Sequence, residues 1–193
     1  MIGNDIVDLN LASIESNWQR KGFLDKVFTK KEQILILNTS DAFKMVWLLW
    51  SMKESAYKVY VQQYEQRFFA PKKLACDLVN ASNGLVVINK STYKTQSVIT
   101  NDCIYTTATP LVSTKKTINN CFSINEATVK NQSKLAYHQL KKTIANMQGI
   151  SYKELYIEKT KAGVPKLYQN ETIINIPFSI THHGNYGAIS ILK

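Results

Sequence analysis

From about residue 41 to 64 the chain carries one long helical pattern, and after Pro71 it switches to period-two alternation; no other feature narrows the fold as much. Projected at about 100° per residue, Met45, Leu48, Leu49, Met52, Ala56, Val59 and Tyr60 share one apolar face suited to docking on a sheet. The alternating segments Lys73–Val79, Gly84–Lys90, Lys94–Ile99 and Cys103–Thr107, separated by Asn, Gly and Ser, predict successive strands. A short strand is expected at 2–9, and helices at 11–20 and 29–38 before the long one. After a polar connector at Ser113–Thr117 the order begins again. A strand near Cys121–Ile124 leads to a helix over 128–148, stopped by Gly149. Then come a strand at Leu155–Lys159, a turn at Ala162–Pro165, and strands at Ile176–His182 and Gly187–Leu192. Segregated strands and helices in each half predict an α+β fold with antiparallel pairing, divided as 1–108 and 109–193.

Charge says who the partner is only in outline. The chain has 24 Lys+Arg against 14 Asp+Glu, a net +10, which predicts an anionic partner. Nucleic acid, a membrane surface, a phosphorylated small molecule and an acidic protein all satisfy that. The N-terminus MIGNDIVDLN lacks the basic-then-apolar order of a signal peptide, and the longest apolar run, Met45–Trp50, is far short of a membrane span. Three cysteines without CxxC spacing suggest neither a disulfide framework nor a zinc site, so a reduced cytoplasm is expected.

Chemistry-bearing residues cluster in three places. The second face of the long helix holds Trp47, Trp50, Lys53, Glu54, Tyr57 and Lys58, more aromatic than a solvated face usually is. Glu54 and Lys58 are also in the favourable i,i+4 ion-pair order. Asp5 lies in a strand-like, apolar context, where a carboxylate is costly unless paired or bound to a cation. Asp5 and Glu54 together are the minimum protein set for a Mg²⁺ that takes its other ligands from waters and substrate phosphates. At the C-terminal strand end, Thr181 and His182, with Lys161 and Lys166 nearby, suit hydrogen bonding to a phosphate.

Gly3-Asn4-Asp5, Phe28-Thr29-Lys30-Lys31-Glu32, Trp50-Ser51-Met52-Lys53-Glu54-Ser55-Ala56-Tyr57-Lys58 and Thr181-His182 resemble the signature blocks of the 4′-phosphopantetheinyl transferase superfamily. The blocks span most of the chain, although residues 80–120 carry none. GxD and WxxKE come first and the His strand last, as in the short holo-acyl-carrier-protein synthases, while the second half looks like the first lobe of the surfactin-type members. The resemblance therefore implies a pseudo-dimer of two similar α+β lobes in permuted order, a monomer with its site between the lobes. The rival arrangement is a single unit with a long insertion that trimerises.

What the resemblance implies chemically is transfer of the 4′-phosphopantetheine arm of coenzyme A to a serine of an apo acyl or peptidyl carrier protein, in fatty-acid, polyketide or peptide synthesis. Asp5 and Glu54 would hold Mg²⁺, Glu54 would accept the serine proton directly or through a water, and Lys58 would stabilise the leaving phosphate. Lys53 is expected on phosphate as well, with Thr181 and His182 on the 3′-phosphate or the diphosphate. Glu32 is left as a supporting residue, a base or a surface glutamate. Val164 stands where the Gly-x-Pro turn usually has Lys, so Lys161 or Lys166 is expected to substitute; His138, Lys141 and Lys142 are the replacements for a missing arginine on the second-lobe helix. Asp8, three residues beyond Asp5, points to the other face of an alternating strand. The carrier is expected to be acidic, with no nucleic acid and no membrane as partner. The competing classes are a basic nucleic-acid-binding module and a non-catalytic carrier binder.

Overall fold

The computed structural model describes residues 1–125 and 128–193. Strand β1 (Gly3–Asp8) is followed by three short helices, α1 (Leu9–Glu15), α2 (Phe23–Val27) and α3 (Lys30–Leu37), and then by the long α4 (Ala42–Tyr64). A meander of β2 (Leu74–Leu78), β3 (Asn83–Ile88), β4 (Ser91–Ile99) and β5 (Cys103–Pro110) completes an antiparallel sheet in the order β1-β5-β4-β3-β2. The second half contains β6 (Thr117–Ser123), α5 (Val129–Gln148), β7 (Leu155–Lys159), β8 (Pro165–Gln169), β9 (Thr172–Ile174), β10 (Phe178–His183) and β11 (Tyr186–Leu192). These strands form two antiparallel sheets, β10-β11-β6 and β7-β8-β9. In each half the strand preceding the long helix pairs with the last strand, β1 with β5 and β6 with β11. The two lobes thus share this strand–helix–strand pairing, although the first builds one five-stranded sheet and the second two three-stranded ones.

Local chemistry accounts for the element ends. Thr29 and Glu32 form a reciprocal capping box on α3, and Asp41 caps α4 by accepting from the Lys44 N–H. Gly149 ends α5 in the left-handed region at φ 65°, as its position after the helical pattern predicts. The expected helix at 11–20 stops at Glu15, and α2, β8 and β9 are additional elements too short to show a period. Strand β6 starts at Thr117, inside the expected connector, because its Thr-Ile-Asn-Asn run has little β signature.

The long helix differs most from expectation. Trp47 and Lys53, placed by helical projection on an outer face, are buried. The reason is a second layer: Trp18, Phe23, Leu24, Phe28 and Ile36 from the α1–α3 segment cover the side of α4 that the sheet leaves open. A second core gathers Leu140, Ile144, Leu155, Leu167 and Ile189 around α5.

The lobes meet along β1. Its outward N–H groups are satisfied by side chains of the other lobe: Asn4 N–H donates to Ser179 Oγ at 3.0 Å, and Asp8 N–H to His183 Nδ1 at 2.9 Å. Asp8 caps α1 through Oδ1 and accepts from the Asn185 N–H through Oδ2, so this acid is a latch between lobes. Val164 reaches across into the first core, and Gln62 bridges the Ile2 and Phe178 carbonyls.

Candidate active site

The approach of β1 to α4 makes the site. A Cβ on Gly3 would lie 2.0 Å from the Ser55 carbonyl oxygen, so only glycine lets the strand pack this closely. Two residues on, Asp5 is carried to the α4 turn that holds Glu54 and Lys58. Lys58 Nζ donates to the Asn4 carbonyl at 2.7 Å and lies 3.6 Å from Asp5 Oδ1. Thr181 Oγ1 donates to the same carboxylate at 3.3 Å, from the other lobe. The second oxygen, Asp5 Oδ2, is buried without a hydrogen-bond partner among the described residues.

Burial raises the Asp5 carboxyl above its ordinary range, with Lys58 and the nearby Ser51 and Thr181 hydroxyls opposing that shift. Glu54 is half-buried and makes no side-chain hydrogen bond among the described residues. Burial first, and then the neighbouring Asp5 charge, push it up to about 7 against the pull of Lys58. A cation is the natural remedy for two such carboxylates. Among the described residues no group of three or more His, Cys, Asp and Glu stands at metal-ligand spacing. Two hard oxygen donors, one of them unpartnered and buried, fit Mg²⁺ that completes its shell with waters and phosphate oxygens.

Asp5 heads an interlobe cleft of about 370 Å³. The first lobe contributes Tyr57, Lys58 and Arg67; the second contributes Ser133 and Tyr137 from α5, Lys159, the Gly163–Pro165 turn, Thr181 and His182. His182 Nε2 is 3.1 Å from Ser133 Oγ. Its pKa is lowered by burial and by the positive charges of Lys58, Lys159 and His183, which keeps the ring neutral at pH 7. Lys58 and Lys159 place positive charge beside the ring, which an anionic ligand would neutralise.

Several expected contacts lie elsewhere. Lys53 does not reach the cleft: its Nζ is bound to both Glu32 oxygens at 2.9 and 3.0 Å and to the Pro71 and Leu74 carbonyls, with both charged side chains 1% exposed. Glu32 also accepts from the Thr29 and Cys76 N–H groups, so it is a buried supporting residue and not a surface glutamate. Lys161 is exposed on the turn and does not line the cleft, while Lys166 faces Glu65 at 3.9 Å. His138 is taken up by Tyr152 Oη at 3.0 Å, and Lys141 by the Leu155 carbonyl and the Tyr152 ring. The cations that do line the cleft, beside Lys58, are Arg67 and Lys159. Arg67 packs on the turn so closely that a Cβ on Gly163 would come within 2.8 Å of its guanidinium. Arg67 follows α4 in an irregular segment, and Lys159 ends a strand, so neither carried a periodic signal; the glycine opposite Arg67 was the only trace.

Three comparisons with known proteins bear on this arrangement. The family model of the 4′-phosphopantetheinyl transferase superfamily matches residues 1–108, which include Asp5, Glu32, Glu54 and Lys58. No match was found among curated proteins. Among solved structures, the chain is similar to Thermotoga maritima holo-[acyl-carrier-protein] synthase at 9% identity, over 85% of this chain and 80% of that one, with a TM-score of 0.45. The match covers more than half of the sequence and the whole strand–helix unit that brings Asp5 beside Glu54: this chain belongs to the 4′-phosphopantetheinyl transferase superfamily.

Proposed function

We propose that the chain transfers the 4′-phosphopantetheine moiety of coenzyme A to a serine of an apo acyl or peptidyl carrier protein and releases adenosine 3′,5′-bisphosphate. The unpartnered Asp5 oxygen beside Glu54, at the head of a cleft lined by Lys58, Arg67 and Lys159, carries this reading. Asp5 and Glu54 are the residues that would hold Mg²⁺, which when bound neutralises charge on the diphosphate.

Each side chain has a defined task. The serine oxygen forms a new bond to the phosphorus that bears pantetheine, and the bond from that phosphorus to the bridging oxygen breaks. Glu54, directly or through a water, takes the serine proton. Lys58 stabilises charge gathering on the departing nucleotide phosphate. Thr181 orients Asp5 from the opposite lobe, so closure of the lobes and orientation of the carboxylate are one event. Neutral His182, Lys159 and Arg67 receive the outlying anionic groups of the nucleotide.

Incubation with coenzyme A, Mg²⁺ and a panel of apo carrier proteins, read by intact mass, tests the function. A gain of one phosphopantetheine on the carrier is expected; no gain on any of several apo carriers refutes it. Arg67→Ala should raise the KM for coenzyme A about tenfold, the scale of one lost charge-assisted contact, and Arg67→Lys should recover part of it. An unchanged KM for coenzyme A in Arg67→Ala would remove Arg67 from the binding set.

A further inference from the structure

Cys103 and Cys121 stand in different lobes and are brought to the same place on the lobe boundary. Side chains alternate along a strand, so Cys103 shares a face of β5 with Tyr105, and Cys121 shares a face of β6 with Asn119. Those two neighbours meet across the boundary: Tyr105 Oη donates to Asn119 Oδ1 at 3.2 Å and also contacts Ser190 Oγ. In the register of β6 with β11, Asn119 lies opposite Ser190, and Cys121 lies opposite Ala188 on the next rung of that face.

Strand β1 fixes the direction of the step. Cys103 is the β5 partner of Asp8, and Asp8 accepts from the Asn185 N–H. Passing from Tyr105 to Cys103 therefore runs from Ser190 toward Asn185 and ends on the Ala188–Cys121 rung. Cys103 indeed packs against the interlobe cluster of Ile6, Tyr105 and Ala188. Ala188 is fully buried and presents only a methyl there.

The two thiols differ in access. Cys103 is half-buried, while Cys121 is exposed on β6, an edge strand that a small reagent reaches from solvent. Although the residue is exposed as a whole, burial and then the nearness of Cys103 push the Cys121 thiol up to about 11. A thiol held so high is little ionised at neutral pH, so the pair rests reduced and exchanges slowly. The third cysteine, Cys76, is buried in the first core with its Sγ 3.6 Å from the Leu49 carbonyl, out of reach of both.

We propose that Cys103 and Cys121 are an oxidisable dithiol, which a low-molecular-weight disulfide converts into a covalent staple between the lobes. Cys121 loses its proton to solvent and attacks one sulfur of the reagent, whose S–S bond breaks to release a first small thiol. Cys103, deprotonated in turn, attacks Cys121 Sγ in the mixed disulfide, and the second small thiol leaves. Two protein thiols are oxidised while one reagent disulfide is reduced to two thiols. The bond encloses the connector between β5 and β6, the stretch of chain that joins the lobes. It stands on its own, whatever reaction the cleft performs.

Incubation of the reduced full chain with oxidised glutathione, alkylation of the remaining thiols and peptide mapping by mass spectrometry test it. One intramolecular bond between Cys103 and Cys121 is expected, with Cys76 alkylated and the bond reversed by dithiothreitol. The oxidised protein should unfold about 5 °C or more above the reduced one, because the bond restrains the unfolded chain. Cys103→Ser should stop at a glutathione adduct on Cys121, and Cys121→Ser should form neither the bond nor the shift. A stable adduct on wild-type Cys121 without the bond, a bond to Cys76 or between two molecules, or no reaction of either thiol overturns the dithiol. A bonded protein whose unfolding temperature is not raised overturns the staple.

Discussion

Replacing Glu54 by glutamine is expected to cut phosphopantetheine transfer by about a thousandfold while making the metal-free protein more stable at pH 8. The two effects share one cause. In the unfolded chain Glu54 titrates near its ordinary 4.5, whereas in the folded chain burial and Asp5 hold it at about 7. The folded state therefore keeps a proton that the unfolded state has already lost. The stability this proton confers is fully present below about 4.5 and disappears as pH rises through about 7. Glutamine cannot ionise and escapes the loss. Thermal unfolding of both proteins without metal should show the variant a few degrees higher at pH 8 and level with wild type near pH 4.5. Saturating Mg²⁺ together with coenzyme A should erase the advantage, since only the carboxylate responds to the cation. A stability difference that is the same at both pH values would refute the electrostatic account, and near-normal transfer would remove Glu54 from the chemistry.

The second large effect concerns Lys53, which the resemblance alone would place on phosphate. Lys53→Ala leaves the Glu32 carboxylate buried without its cation and the Pro71 and Leu74 carbonyls without their donor. Breaking a buried pair in this way costs about 3–5 kcal/mol, a large part of a domain's stability. Denaturant unfolding should show that loss. The fraction still folded at low temperature should keep a KM for coenzyme A within about twofold of wild type, because Nζ never enters the cleft. The converse pattern, normal stability with a greatly raised KM, would restore Lys53 to the phosphate site.

Lys53 and Lys58 show where the sequence was readable and where it was not. Helical projection puts Lys53, Glu54, Tyr57 and Lys58 on one side of α4, and the signature spacing picks out Glu54 and Lys58. Separating Lys53 from them requires knowing that α1–α3 cover that part of the helix, and those helices are too short to announce themselves by periodicity. The strand–helix–meander order was legible because α4 and β2–β5 are long enough to average out local noise. Asp5 was legible because a carboxylate in an apolar strand demands a reason. Arg67 and Lys159 come from the irregular segment after α4 and from the end of a strand, and only the three-dimensional closure of the lobes gives them a common target.

The lateral seam of β1 also bears on how the molecule is assembled over time. Asn4 meets Ser179 and Asp8 meets His183, each pair separated by 175 positions in the chain. The first lobe needs no such long loop closure, since its sheet and α4 are local to the first 110 residues. Contacts between chain ends pay the greatest closure entropy and form late. Thr181, which fixes the Asp5 carboxylate, belongs to the late set. A folding chain of this design would possess its sheet and its long helix before it possesses a catalytic centre, and would stay inert toward coenzyme A until the final hairpin closes against the first strand.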